Sequence, residues 1–264
     1  MLYYFFMNPV EIYKLLPKTN CGECPQKTCM AFALSVLKGE VSAEQCPYLS
    51  EEAKEILSGI EIKDWKAELI EKLKAEVAGL DYKSITPGIG AELKGNSISI
   101  RCFGTEYIIS PEGEITTEGH INPWIKILLL HYVRTAGKGQ LSGRWVNLSE
   151  LKSGMVKASS FHRDCEEPLR EFFDNHHTLV ANMLPALGGE RTHQEGCDEA
   201  WLVRALPKVP ALILYWKRTD DEPSSLKILF DSTADRFLDV ESLIFLFEGL
   251  VNILEHTVAR MGKH

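Results

Sequence analysis

Four cysteines, Cys21, Cys24, Cys29 and Cys46, fall in one 26-residue stretch with the spacing C-x2-C-x4-C-x16-C. Four thiols this close in sequence constrain the fold more than any hydrophobic pattern does. If one metal centre takes them all, the chain around them must turn back to a single point, and the binding energy becomes folding energy. Such a set can hold a structural zinc ion or an iron–sulfur cluster. Structural zinc sites usually present two C-x2-C knuckles, and here there is one, followed by two single cysteines. A cluster takes one thiolate at each of four irons, at the corners of a wider cube, and tolerates that asymmetry. Cys46–Pro47 also repeats the Cys-Pro that closes the common bacterial ferredoxin run. The spacing favours iron–sulfur over zinc.

The other three of the seven cysteines, Cys102, Cys165 and Cys197, are isolated in the remainder of the 264 residues. This uneven distribution predicts a small four-cysteine module over residues 1–60, a connecting amphipathic helix over 61–80 and a larger domain over 81–264. In the module, Asn8 and Pro9 open a short helix that Pro17 ends, a loop runs from Lys18 to Thr28, and a second helix runs from Cys29 to Lys38 with Gly39 as its stop. Ser42 and Gln45 have capping-box spacing, and Ser50 caps a third helix. Ile62, Trp65, Leu69, Leu73 and Val77 form the apolar stripe of the connector. Beyond the breakers Pro87, Gly88 and Gly90, Ile98–Cys102 alternates with polar residues, Tyr107–Ile109 follows, and Pro111–Gly113 is a turn, which suggests a hairpin or meander. Helices are expected over Asn122–Thr135, around Asp164–His176 and over Val240–Arg260. A hairpin pairs Ala211–Lys217 with Leu226–Phe230 across the acidic turn Asp220, Asp221, Glu222. Strands and helices mix without βαβ alternation, so the fold class is α+β.

Lys plus Arg number 29 against 37 Asp plus Glu, a net charge of −8, which disfavours a broad phosphate-binding surface and hence nucleic-acid partners. No stretch approaches the roughly 20 uninterrupted apolar residues of a membrane span, and the apolar start Met1–Met7 lacks the basic region of a signal peptide. A cytoplasmic chain follows, with its cysteines kept as thiols or thiolates. The start, with Tyr3, Tyr4, Phe5 and Phe6 inside Leu2–Phe6, either packs on the second domain or on another subunit, which leaves room for a homo-oligomer, or is a disordered terminus. There is no G-K-[ST] loop, and Leu93 stands where a dinucleotide loop begun by Gly88-Ile89-Gly90 wants glycine.

The segment IYKLLPKTNCGECPQKTCMAFALSVLKGEVSAEQCPYLSEEAKEIL, Ile12–Leu57, resembles the four-cysteine domain that opens the large subunit of corrinoid iron–sulfur proteins and also occurs in the B subunit of Rnf electron-transport complexes. The resemblance covers about a fifth of the chain. It implies that Cys21, Cys24, Cys29 and Cys46 ligate one low-potential [4Fe–4S] cluster that passes single electrons to a corrinoid. The barrel and corrinoid-carrying domains of that subunit have no counterpart here. Residues 81–264 resemble, more weakly, a function-unknown domain family of anaerobes, through LSGRWVNLSEL, the pair Gly188–Gly189 with Asp198, and PALILYWKRTDDEPSSLKILFD.

In the second domain His193 and Cys197 have the spacing of a ligand pair on one helix face, with Glu195 near, although Gly188, Gly189 and Gly196 argue for a loop. Asp174-Asn175-His176-His177 begins like the D-x-H-x-x-G signature of corrinoid proteins, but Leu179 replaces the glycine. His176 reads better as a half-buried residue at a helix end. His193, Cys197 and His176 are thus candidates for a second metal site. His131 reads as a core histidine and Cys102 as inert core. Trp201, Tyr215, Trp216, Phe230 and Phe237 fit an aromatic core better than a flat-ligand pocket. The expected function is delivery of single electrons at low potential to a corrinoid or related tetrapyrrole or metalloenzyme partner in anaerobic one-carbon metabolism. Two alternatives stay open: a redox enzyme with a second cofactor (haem, corrinoid or metal) in 81–264, and an assembly or metal-delivery factor for a metalloenzyme.

Overall fold

The structure, a computed structural model, describes residues 9–58, 65–137 and 139–261. The expectations placed on Leu2–Phe6, Asn8 and Ile62 lie outside these residues. The chain divides between Leu69 and Ile70 into two compact units.

The first unit is helical: α1 (Pro9–Leu15), α2 (Cys29–Leu37), a 3-10 turn at Ala43–Gln45 and α3 (Glu51–Ser58). Its boundaries follow from local chemistry. Thr28 Oγ1 accepts from the Ala31 N–H at 3.2 Å to start α2. Gly39 takes φ +68° just past its end, where its amide reaches Val36 O at 3.0 Å. Ser42 Oγ accepts from the Glu44 N–H at 3.4 Å, and Ser50 Oγ from the Ala53 N–H at 3.2 Å. Ile12, Leu16, Phe32, Ala33, Val36, Leu49, Ala53 and Leu57 form the core, and Cys29 and Cys46 are buried among them. A unit of this size lies below the roughly 70–80 residues at which an apolar core alone usually suffices, so a bound metal group would add to its stability.

The second unit is α+β. It takes in most of α4 (Trp65–Ala78), whose Ile70, Leu73 and Val77 are buried, and α5 (Tyr82–Ile89). Strands β1 (Glu92–Lys94), β2 (Ser97–Cys102), β3 (Thr105–Ile109) and β4 (Ile115–Thr116) form an antiparallel meander in that order. Helix α6 (Pro123–Arg134) starts as expected, with Asn122 Oδ1 accepting from the Ile125 N–H at 3.0 Å and Pro123 in its first turn. Then come β5 (Trp145–Asn147), α7 (Ala158–Phe161), a π-helical turn at His162–Glu166 and α8 (Glu167–Ala186). Strands β6 (Gly189–Thr192), β7 (Glu199–Leu206), β8 (Val209–Trp216) and β9 (Ser225–Asp231) complete a second antiparallel sheet in the order β5-β9-β8-β7-β6. Helix α9 (Val240–Met261) ends the description.

Several expectations need correction. Pro87 and Gly88 do not break the chain but lie inside α5, which ends at Gly90 with φ +65°. Helix α8 runs ten residues past His176, through a kink where His176 takes φ −135° and ψ 36°. Strands β5, β6 and β7 have no counterpart among the expected elements. Val240–Arg260 has the length and, at mean hydropathy 1.4, the composition of a membrane-crossing helix. Glu241, Glu248 and Glu255 interrupt it, and Leu243, Leu250 and Leu254 are wholly buried in the unit's own core. There Phe247 meets Phe230 edge-on at 5.3 Å between ring centres.

Candidate metal centre

The loop between α1 and α2 is held in an uncommon backbone shape. Lys18 and Asn20 both take left-handed φ, +63° and +50°, and Gly22 takes +75°. A side chain at Gly22 would meet nothing within 4 Å, so it is the backbone angle that calls for glycine. Asn20 Oδ1 accepts from the Cys29 N–H at 2.8 Å and thereby ties the start of the loop to the start of α2. This brings Cys29 back beside the start of the loop that carries Cys21 and Cys24. Cys46 arrives from a second segment, at the end of the 3-10 turn, where its N–H donates to Ala43 O at 3.1 Å and its carbonyl accepts from the Leu49 N–H at 3.3 Å.

Cys21 is exposed, Cys24 half-buried, and Cys29 and Cys46 buried. Burial first, then the hydrogen bond with Cys46 and the charges of Cys46, Cys21 and Cys29, push the Cys24 thiol up to about 11. The other three thiols thus each disfavour a thiolate at Cys24, and four thiolates gathered here would need a compensating cation. Among the described residues no three His, Cys, Asp or Glu side chains stand at the separations that hold a single metal ion. The thiols are neighbours and not a formed tetrahedron, a set suited in number and softness to iron or zinc. A contact that the spacing did not reveal crosses the same two segments: Tyr48 Oη donates to Glu23, 3.0 Å from each carboxylate oxygen.

In the second unit, His193 and Cys197 lie in the loop between β6 and β7, the Cys197 thiol donating to Gln194 O at 3.4 Å. His176 is exposed at the kink of α8 instead of half-buried at a helix end. Among the described residues these three assemble no second metal site. His131 Nδ1 stands 3.6 Å from Asp239 Oδ2. Cys102 is buried, which pushes its thiol up to about 12. Trp201, Tyr215, Phe230 and Phe237 are core residues, leaving Trp216 half-buried. Asp220, Asp221 and Glu222 are exposed, and the turn is closed by Thr219 and Glu222 through their backbones. A cleft of about 370 Å³ opens beside the start of α9, lined by Lys152, Lys157, Asp235, Asp239 and Glu241 among others.

The sequence reading missed a buried carboxylate. Glu199 opens β7 with its side chain 1% exposed, and its Oε1 lies 2.6 Å from His177 Nε2 and 3.3 Å from Lys217 Nζ. Arg191 Nη2 is 3.5 Å from Oε2. The signal was there in outline: an acidic residue opening an otherwise apolar strand needs partners.

A four-thiol helical module joined to an antiparallel α+β unit is the class that the fold and site define. Residues 81–253 match the family described as "Domain of unknown function (DUF3786)", and since they make up more than half of the chain, it belongs to that family. Residues 16–48, which contain all four clustered cysteines, match the family described as "Putative Fe-S cluster". The chain is 54% identical over 48 residues to the corrinoid/iron-sulfur protein large subunit of Moorella thermoacetica, covering 18% of this chain and 11% of that one. It is 43% identical over 134 residues to the acetyl-CoA decarbonylase/synthase complex subunit gamma of Methanothermobacter thermautotrophicus, covering 49% and 26%. To subunit gamma 2 of that complex from Methanosarcina thermophila it is 51% identical over 47 residues, covering 18% and 10%. The chain thus spans between a tenth and about a quarter of the length of these relatives. No solved structure matches.

Proposed function

We propose that this chain is a [4Fe–4S] electron-transfer protein that delivers single electrons at low potential to a corrinoid- or metal-containing enzyme of anaerobic one-carbon metabolism. The observation that carries the reading is that Cys21, Cys24, Cys29 and Cys46 all fall within the span that matches the iron–sulfur family, with Cys29 tied back to the start of the loop through Asn20. These four residues are the proposed ligands, and residues 1–60 the module that holds them. The names of the similar subunits, which concern corrinoid/iron-sulfur protein and acetyl-CoA decarbonylase/synthase, support the partner class. A cytoplasmic location accords with it.

When bound, the cluster would supply reversible one-electron storage. The chain's residues do the rest. Asn20 and Gly22 set the loop, the unit's apolar core keeps water from Cys29 and Cys46, and exposed Cys21 leaves one side of the site close to solvent, where an electron can leave. With all four corners occupied by protein thiolates, no position is left open for a substrate, which suits a carrier better than turnover at the cluster.

Anaerobically prepared protein tests this reading. We expect iron and sulfide in equal amounts, about four of each per chain, a paramagnetic signal on reduction, a strongly negative midpoint potential, and electron transfer to a Co(II) corrinoid protein. Zinc without sulfide would overturn the cluster, and a cluster that cannot be reversibly reduced would overturn the carrier in favour of an assembly factor. A second chromophore in the purified protein would favour the enzyme reading.

A further inference from the structure

The two segments that carry the thiols also meet at a point that uses no sulfur. Glu23 lies inside the C-x2-C step, between Cys21 and Cys24, and Tyr48 lies two residues after Cys46. Its hydroxyl donates to both oxygens of the Glu23 carboxylate at 3.0 Å, across 25 residues of sequence. Tyr48 is 54% exposed, so burial explains little of why a large aromatic is held here. The hydrogen bond to a charged acceptor is what fixes it.

Three of the four proposed ligands come from the continuous segment 21–29, and Cys46 alone comes from elsewhere. The site can therefore open in one simple way, by the 46–48 segment swinging off the loop. Cys46 is anchored on its inner side by its own burial and that of Leu49. On the solvent side, the Tyr48–Glu23 contact is the bond across the gap. We propose that Tyr48 is a positioning residue for the cluster: with Glu23 it forms a clasp that holds Cys46 in register with Cys21 and Cys24 and slows loss of the metal group. The inference rests on the proposed function.

The test uses the full chain, loaded anaerobically with iron and sulfide, and times iron release to a ferrous chelator. Tyr48→Phe and Glu23→Ala should each speed release by about two- to tenfold, the size of one net hydrogen bond. The double variant should release no faster than either single, because both remove the same bond. Glu23→Gln should fall between wild type and Glu23→Ala, since one amide oxygen still accepts from the phenol but without the charge, a graded rescue that a general loosening of the surface would not give. Circular dichroism of the metal-free chains should be unchanged. Release from Tyr48→Phe at the wild-type rate, or additive effects of the two substitutions, overturns the clasp while leaving the cluster reading intact. A wild-type chain that takes up neither iron nor sulfide overturns the proposed function, and the clasp with it.

Discussion

His177 Nε2 lies 2.6 Å from Oε1 of Glu199, a carboxylate whose side chain is 1% exposed. The contact ties the middle of α8 to the first residue of β7. The kink at His176 falls between His177 and Asp174, and Asp174 Oδ1 accepts from the Tyr215 hydroxyl at 2.6 Å. Glu199 and Tyr215 face each other across β7 and β8, so both contacts of α8 reach one rung of the sheet. Burial alone would raise the Glu199 pKa, but hydrogen bonds from His177 and Lys217 and the charges of His177 and Arg191 outweigh it and hold the carboxyl below its ordinary value of 4.5. A group depressed in the folded state adds stability above its unfolded value and loses it as pH falls through the folded value. Thermal unfolding should therefore show an acid-side loss of stability below about pH 4.5 that Glu199→Gln reduces. His177→Ala should cost about 1–2 kcal/mol at neutral pH, modest because the ring is partly exposed. An acid-side slope unchanged by Glu199→Gln would refute the assignment.

Asp231 closes β9 and is 2% exposed. It accepts from the amides of Ser142, Gly143 and Thr233 and from the hydroxyls of Ser142 and Thr233, at 2.6–3.1 Å. One carboxylate thus holds the loop that leads into β5. Asp231→Ala should cost about 1–3 kcal/mol, because it takes the acceptor from the buried amide and hydroxyl of Thr233 and releases the exposed Ser142–Gly143 loop. Hydrogen exchange at Ser142 and Gly143 should rise together with it; protection that survives the substitution would show that the loop is held by something else.

Tyr132 and Trp201 make a paired test of buried polar groups. The Tyr132 hydroxyl donates to Ile89 O at 2.6 Å and accepts from the Lys208 N–H at 3.0 Å. Trp201 Nε1 is buried without a partner. Tyr132→Phe should cost about 1–3 kcal/mol. Trp201→Phe should cost less than truncating an indole usually does, since an unpaired N–H leaves with the ring. Denaturant midpoints at equal m-value would measure both, and a Tyr132→Phe midpoint equal to that of wild type would count against its two partners.

Cysteine replacement separates the thiol set from the rest. Serine at Cys24 or Cys46 should abolish or convert the metal centre, read as loss of iron and sulfide. Cys102→Ser should keep both and change stability alone, because the Cys102 side chain is buried and lies outside the proposed ligand set.

What could be read from the sequence followed how locally each feature is encoded. The Asn122-Pro123 start of α6, the Ser50 cap and the β2–β3 pairing rest on neighbouring residues, and the structure has them. Strand β7 was hidden because both of its faces are largely covered, so E-A-W-L-V-R-A-L shows no clean alternation. The continuation of α8 past Asp174-Asn175-His176-His177 depends on contacts from Tyr215 and Glu199, which lie 41 and 22 residues away from Asp174 and His177. The cysteine spacing pointed to the candidate centre at once. The Glu23–Tyr48 and Asn20–Cys29 contacts needed the fold, because nothing in a spacing says which side chain turns toward which amide.

That last contact bears on the energy of the electron. N–H groups pointed at cluster sulfurs favour the reduced, more negative state and raise the potential. In α2 the Cys29 amide is taken by Asn20 and the Ala31 amide by Thr28, so two donors of the helix's first turn are diverted to side-chain oxygens. Those two amides are not free to donate to sulfur. If the proposed cluster binds here, the loss of those two donors would bias it toward giving its electron away.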